Sequence, residues 1–149
     1  MRAVAQRVAR ARVSVDGRET GAMRDGLLAL VGVARGDTPE DARSLADKLI
    51  HLRVFADDAG KMNRSLLETG GSLGIVSQFT LLGDCRKGRR PGYADAAAPE
   101  RAEPLLERLM DHARSAGVRV ISGRFGAQMQ VELTNDGPVT LLLDTEKVF

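Results

Sequence analysis

One cysteine, no tryptophan and only two histidines in 149 residues remove several chemistries at the outset. Cys85 has no second cysteine with which to close an intrachain disulfide, and neither His51 nor His112 has a cysteine near it at metal-ligand spacing. The chain is therefore read as one for a reducing compartment, with no structural metal and no cofactor. Aromatic residues make up 3% of the chain, too few for a broad base-stacking platform. No run approaches the roughly 18 apolar residues of a membrane-spanning helix, and residues 1–8 lack the long apolar stretch of a secretory leader. A cytosolic protein without a membrane partner is expected. The net charge of +2, from 22 basic and 20 acidic residues, creates no overall field that would draw nucleic acid, so such a partner has to be recognised by local clustering.

With 43% hydrophobic residues, the chain is long enough to bury one core unaided, and 1–149 reads as a single domain. Its periodicity is mixed α/β. Residues 1–8 alternate apolar and polar, 12–15 run into the hairpin signal Asp16-Gly17, and 18–23 follow, which predicts three short strands. Residues 26–33 are continuously apolar, as in a strand buried on both faces, with Gly32 and Gly36 marking its exit. Thr38 then reads as an N-cap with Pro39 at the first helical position, and Ala42, Leu45, Ala46, Leu49 and Ile50 form the stripe of a helix ending near Arg53. A second helix opens at Pro99, buries Ala102, Leu105, Leu106, Leu109, Met110 and Ala113, and closes at Gly117. Residues 73–79, 118–122, 129–134 and 139–143 read as further strands. The expected inventory is about eight strands and two main helices. Gly70-Gly71-Ser72-Leu73-Gly74 lacks the lysine of a phosphate loop and precedes a strand, so it reads as a plain turn.

Two polar segments end strand-like runs. In Ser77-Gln78-Phe79-Thr80, alternation would put Ser77 and Phe79 on one face and Gln78 and Thr80 on the other. Three readings stand: Thr80 as a nucleophile, although no histidine is near in sequence to act as its base; a strand end whose hydroxyls satisfy neighbouring backbone; or backbone N–H groups forming an oxyanion hole. In Asn135-Asp136-Gly137-Pro138-Val139-Thr140 the minimum is a tight turn between two strands, ordinarily trans. Asn135, Asp136 and Thr140 are placed to fix it through side-chain hydrogen bonds. Arg86-Lys87-Gly88-Arg89-Arg90-Pro91 is a basic loop, either solvated surface or a phosphate contact beside the first segment. Lys61-Met62-Asn63-Arg64-Ser65 and the segment from Gly123 to Met129 are each a loop on the core or a pocket wall.

Taken together and in order, Met1-Arg2-Ala3-Val4-Ala5-Gln6-Arg7-Val8, Lys61-Met62-Asn63, Ser77-Gln78-Phe79-Thr80-Leu81, the basic loop, Gly123-Arg124-Phe125-Gly126-Ala127 and the Gly137-Pro138 segment resemble the D-aminoacyl-tRNA deacylase family over nearly the whole chain. Departures are confined to Cys85 where threonine is common, Gly92-Tyr93 where serine-phenylalanine is common, and Ala5 where a larger aliphatic is usual. The resemblance implies a cytosolic homodimer of β-barrel-like subunits, with the active site at the interface, that hydrolyses the ester between a D-amino acid and the terminal adenosine of tRNA. It further implies that Gly137-Pro138 is cis and, held by Arg7, enters the partner's site as a chiral filter. Ser77, Gln78, Phe79 and Thr80 then receive the aminoacyl group, Met129 lines the adenosine pocket, and Arg86, Lys87, Arg89 and Arg90 meet tRNA. Glycyl-tRNA, including glycine mischarged on alanine tRNA, would pass such a filter. The alternatives are a non-catalytic tRNA-binding module and a threonine-dependent esterase.

Overall fold

The structure, a computed structural model, describes residues 1–148. Asp16 and Gly17, both at positive φ (50° and 74°), make the two-residue turn that returns β1 (Arg2–Val15) antiparallel along β2 (Arg18–Gly32). These two long strands replace the four short ones expected from 1–33, because pairing carries each through the polar positions that broke its pattern. α1 (Pro39–His51) follows as expected, with Thr38 and Asp41 forming a reciprocal capping box. After it come a small hairpin, β3 (Phe55–Ala56) with β4 (Met62–Arg64), and a single turn of helix, α2 (Leu66–Thr69), capped by Ser65. Neither the hairpin nor α2 was expected. Gly70, left-handed at φ 68°, ends α2 and leads into β5 (Ser72–Ser77), so the glycine-rich segment is a turn as read. A 3-10 turn (Phe79–Leu82), α3 (Pro99–Ser115), β6 (Arg119–Ser122) and β7 (Gln130–Asp144) complete the order.

The main sheet runs β6-β5-β2-β1-β7, with β2, β5 and β6 parallel and β1 antiparallel to both its neighbours. It is an open sheet with two edges, β6 and β7, where a barrel-like closure was expected. Its faces explain the unbroken apolar run in β2. Leu27, Ala29 and Val31 pack with α1 and α3 through Leu45, Leu49, Leu106 and Leu109, whereas Leu28 joins Val8, Val13, Met23, Val76 and Ile121 in a second cluster. The strands expected at 129–134 and 139–143 are one. β7 pairs with β1 along its length and absorbs Gly137-Pro138 as an irregularity, with register shifts opposite Gln6 to Arg10. An edge strand tolerates this because proline's missing N–H is then not owed to a second neighbour.

At one end of the sheet the buried Met1 ammonium donates to Asp37 Oδ1 (2.6 Å) and Thr145 Oγ1 (2.5 Å), while Asp37 Oδ2 accepts from the Ala34 amide (2.5 Å). The pairing satisfies a charge that burial would otherwise make costly. It also ties the start of β1 to the segments that follow β2 and β7.

Candidate active site

β5 carries Ile75, Val76 and Ser77 out of the core beside β2, and the Gln78 amide still donates to Val31 O at 2.8 Å. The chain then leaves the sheet. Gln78 sits at φ −148° and ψ 78°, and residues Phe79–Leu82 form the 3-10 turn, so the strand ends two residues earlier than expected and alternation does not govern Phe79 and Thr80. Within the turn the Leu81 amide donates to Gln78 O (3.2 Å) and the Gly83 amide to Thr80 O (3.0 Å). The N–H groups of Phe79 and Thr80 precede the first of these bonds, so the turn holds no acceptor for them. Two adjacent backbone donors are thereby presented at a strand end.

What brings the turn so close to β2 is Gly32. A Cβ there would stand 2.8 Å from Gln78 O and 3.2 Å from Leu81 Cβ. Only a residue without a side chain allows this approach. Pattern reading placed Gly32 at a strand exit and missed its part in positioning the turn.

Ser77, Gln78 and Phe79 line a cavity of about 590 Å³. Its walls are Val31, Val33 and Val76 from the sheet, Ala102 and Leu106 from α3, and Phe125, Met129 and Val131 around the segment before β7. A smaller cavity of about 270 Å³ shares Ser77, Leu106 and Phe125 and adds Glu103, Glu107 and Arg124. Met129 therefore joins three of the four residues of the first segment. Thr80 is exposed beside them, with its Oγ1 taken by Gln78 Nε2. Neither histidine serves Thr80 as a base: His112 Nε2 contacts Asp47 Oδ1 (2.8 Å) and His51 Nδ1 contacts Asp47 O (2.9 Å). Among the described residues no histidine or carboxylate stands by Thr80 Oγ1 as the base a side-chain nucleophile needs.

Gly137-Pro138 is cis, with Gly137 at φ 138°. Around it the Asn135 amide group closes a ring of bonds: Nδ2 donates to Thr140 Oγ1 (3.0 Å) and Val139 O (3.4 Å), and Oδ1 accepts from the Val139 amide (2.8 Å). Arg7 grips the other side, with Nε donating to Asp136 O at 3.0 Å and lying 3.3 Å from the Asp136 carboxylate. The expected fixing by Asn135, Asp136 and Thr140 is present. Arg7, Gly137 and Pro138 do not line the 590 Å³ cavity of their own chain; the motif stands on edge strand β7.

The basic run is an exposed excursion closed by paired amide bonds between Asp84 and Gly92 (2.7 and 2.9 Å). Arg86 forks onto the Asp84 carboxylate with two bonds of 2.8 Å and, with its own backbone N–H, holds that carboxyl down at about 2. Lys87, Arg89 and Arg90 have no carboxylate partner among the described residues.

A mixed α/β architecture and an apolar cavity where β5 ends, lined by Ser77, Gln78 and Phe79, place the chain among proteins whose site lies at a strand end. The chain belongs to the D-Tyr-tRNA(Tyr) deacylase family, whose sequence profile matches residues 4–144. It is 60% identical, over all 149 residues of both chains, to a protein of Anaeromyxobacter dehalogenans (strain 2CP-C) named D-aminoacyl-tRNA deacylase. It is 54% identical to one of the same name from Halalkalibacterium halodurans, with 98% of this chain and 100% of that one covered. Among solved structures, one described as c-Myc DNA Unwinding Element Binding Protein is similar at TM-score 0.91 and 37% identity, covering 97% of this chain and 99% of its own. A probable eukaryotic D-amino acid tRNA deacylase shares the fold at TM-score 0.82 and 21% identity, over 95% and 97%.

Proposed function

We propose that this chain hydrolyses the ester of D-aminoacyl-tRNA, releasing amino acid and tRNA in the cytosol, the activity after which its relatives are named. The observation that carries the mechanism is the pair of amides at Phe79 and Thr80 beside a cavity that offers no nucleophile with a base. An aminoacyl ester is already activated, so positioning supplies much of the acceleration. Water, assisted by the vicinal 2′-hydroxyl of the terminal ribose, adds to the ester carbonyl. The two N–H groups hold the oxyanion, and its collapse expels the ribose 3′-oxygen. Thr80 acts as scaffold, and Met129 borders the adenosine.

Chirality is read by exclusion in a homodimer. The Gly137 and Pro138 carbonyls of one copy enter the other copy's cavity, capture the α-ammonium group and leave no volume for a side chain in the L direction. The exposed position of the motif, off its own cavity, supports this arrangement. Glycine has no side chain to exclude, so glycyl-tRNA is a substrate, including glycine mischarged on alanine tRNA. Lys87, Arg89 and Arg90 meet the RNA backbone, and Arg86, forked onto Asp84, stands beside them.

The test is release of labelled amino acid from matched D-tyrosyl-, L-tyrosyl- and glycyl-tRNA, with buffer hydrolysis subtracted. Loss of the D and glycyl esters alone is expected. Equal loss of D and L esters removes the filter. A nucleic-acid-binding module without catalysis is the second reading, suggested by the free cations of the basic loop; it would bind charged and uncharged tRNA alike and leave every ester intact.

A further inference from the structure

Phe79 and Tyr93 form an aromatic pair at the mouth of the cavity, and the function proposed above gives their rings no task. Their centroids lie 5.0 Å apart at 68°, edge to face. Phe79 is 56% exposed and Tyr93 39%. Phe55 and Phe125, by contrast, pack against the main core. An exposed ring held in place by a second ring is a rigid surface, and Tyr93 is itself held. It lies over Gly83, where a Cβ would come 3.1 Å from its ring, and its carbonyl accepts from the Ala96 amide at 3.2 Å.

Charge identifies the occupant. The loop between the two rings in sequence carries Lys87, Arg89 and Arg90 without carboxylate partners among the described residues, while the acid within it, Asp84, is occupied by Arg86. An aromatic face beside cations that lack partners is what a single-stranded nucleic acid requires, with the ring taking a base and the cations taking phosphates. The order along the chain is cavity, Phe79, then loop, which follows the order of terminal nucleoside, preceding base and preceding phosphates in an RNA end. Composition excludes a broad platform, but one pair serves one base.

We infer that the Phe79 ring, buttressed edge-on by Tyr93, is a stacking subsite for the nucleobase immediately 5′ of the terminal adenosine, with the phosphates beyond it directed to Lys87, Arg89 and Arg90. The assignment rests on the tRNA reading above.

Tyr93 is the only tyrosine and tryptophan is absent, so tyrosine emission from the native chain reports on this place alone. Titration with the uncharged trinucleotide CCA is expected to quench that emission, and CCA with an abasic middle residue to leave it nearly unchanged. In turnover, kcat/KM for D-tyrosyl-CCA is expected to exceed that for its middle-abasic analogue by about tenfold. The ratio should fall toward one in Tyr93→Ala and recover in Tyr93→Phe. Equal quenching by both oligonucleotides, or a ratio that persists in Tyr93→Ala, overturns the subsite. Emission that changes with protein concentration and not with CCA assigns the pair to a contact between copies of the chain and also overturns it. If no ester is cleaved, the deacylase reading fails, and the CCA titration still judges the stacking by itself.

Discussion

Arg7 bridges two carbonyls that belong to different parts of the chain: its Nη1 donates to Val54 O at 2.5 Å and its Nε to Asp136 O at 3.0 Å. The side chain is 15% exposed, and the bond to Val54 O is the more sheltered of the two. Arg7→Ala is expected to lower stability by about 1.5–3 kcal/mol, as for lost hydrogen bonds to a charged group, measured by urea denaturation. It is also expected to narrow the ratio of D- to L-tyrosyl-tRNA hydrolysis. Arg7→Lys should behave nearly as badly, because one ammonium cannot span the two acceptors of a planar fork. An unchanged D-to-L ratio in Arg7→Ala would separate this arginine from the filter.

Gly137→Ala tests the motif itself. At φ 138° an added Cβ stands 2.9 Å from Val139 Cγ2, 3.0 Å from Val139 N and 3.2 Å from Arg7 Nη2. The backbone has to give way, at a cost of about 1–3 kcal/mol. Circular dichroism should report an intact fold, while D-ester cleavage falls by about a hundredfold, the penalty of small misplacement at a reacting centre. Full activity would mean that the glycine serves β7 and not the substrate.

Gly32→Ala addresses the donors from behind. The new methyl would meet Gln78 O at 2.8 Å and push the Phe79–Leu82 turn outward. A drop in kcat of about tenfold or more, with KM little changed, is expected if the amides act on the transition state. A change in KM alone would point instead to the shape of the cavity.

Asp84 sets the charge and pH behaviour of the basic loop. Its pKa is depressed to about 2 by Arg86, so whatever order it lends the loop is present above the ordinary carboxylate range and is lost as pH falls toward 2. Between pH 5 and 9 this pair should therefore contribute no pH dependence to tRNA binding. Asp84→Asn keeps an acceptor for the Arg86 amide but releases a cation. The slope of log affinity against log salt is then expected to steepen by about 0.7–0.9; an unaltered slope would place Arg86 away from RNA phosphate.

The two helices were legible because their signals are local. Thr38, Pro39 and the spacing of Leu45, Leu49 and Ile50 lie within one segment, and Thr38 caps the helix as they indicate. β7 was not legible as one strand, because what carries it through Gly137-Pro138 is pairing with β1, about 130 residues away in sequence. The β3–β4 hairpin carries no periodic pattern at all. It is shaped by Asp57, whose carboxylate accepts from the amides of Ala59 and Lys61 at 2.9 Å each, and by Arg53, whose Nε reaches Asn63 O at 2.8 Å. Among site residues, Ser77, Gln78, Phe79 and Met129 were found by motif and meet at one cavity. Gly32, Val54 and the Phe79–Tyr93 contact depend on three-dimensional approach, which spacing does not encode.

The close approach of the Phe79–Leu82 turn to Gly32 gives the site an unusual mutational signature. Substitution there is expected to give a kinetic phenotype at a buried position that meets the Phe79–Leu82 turn and is not part of the cavity lining. A saturation scan of this chain would mark Gly32 beside the active-site residues although it offers no side-chain atom to the reaction. What selection would protect at that position is a clearance.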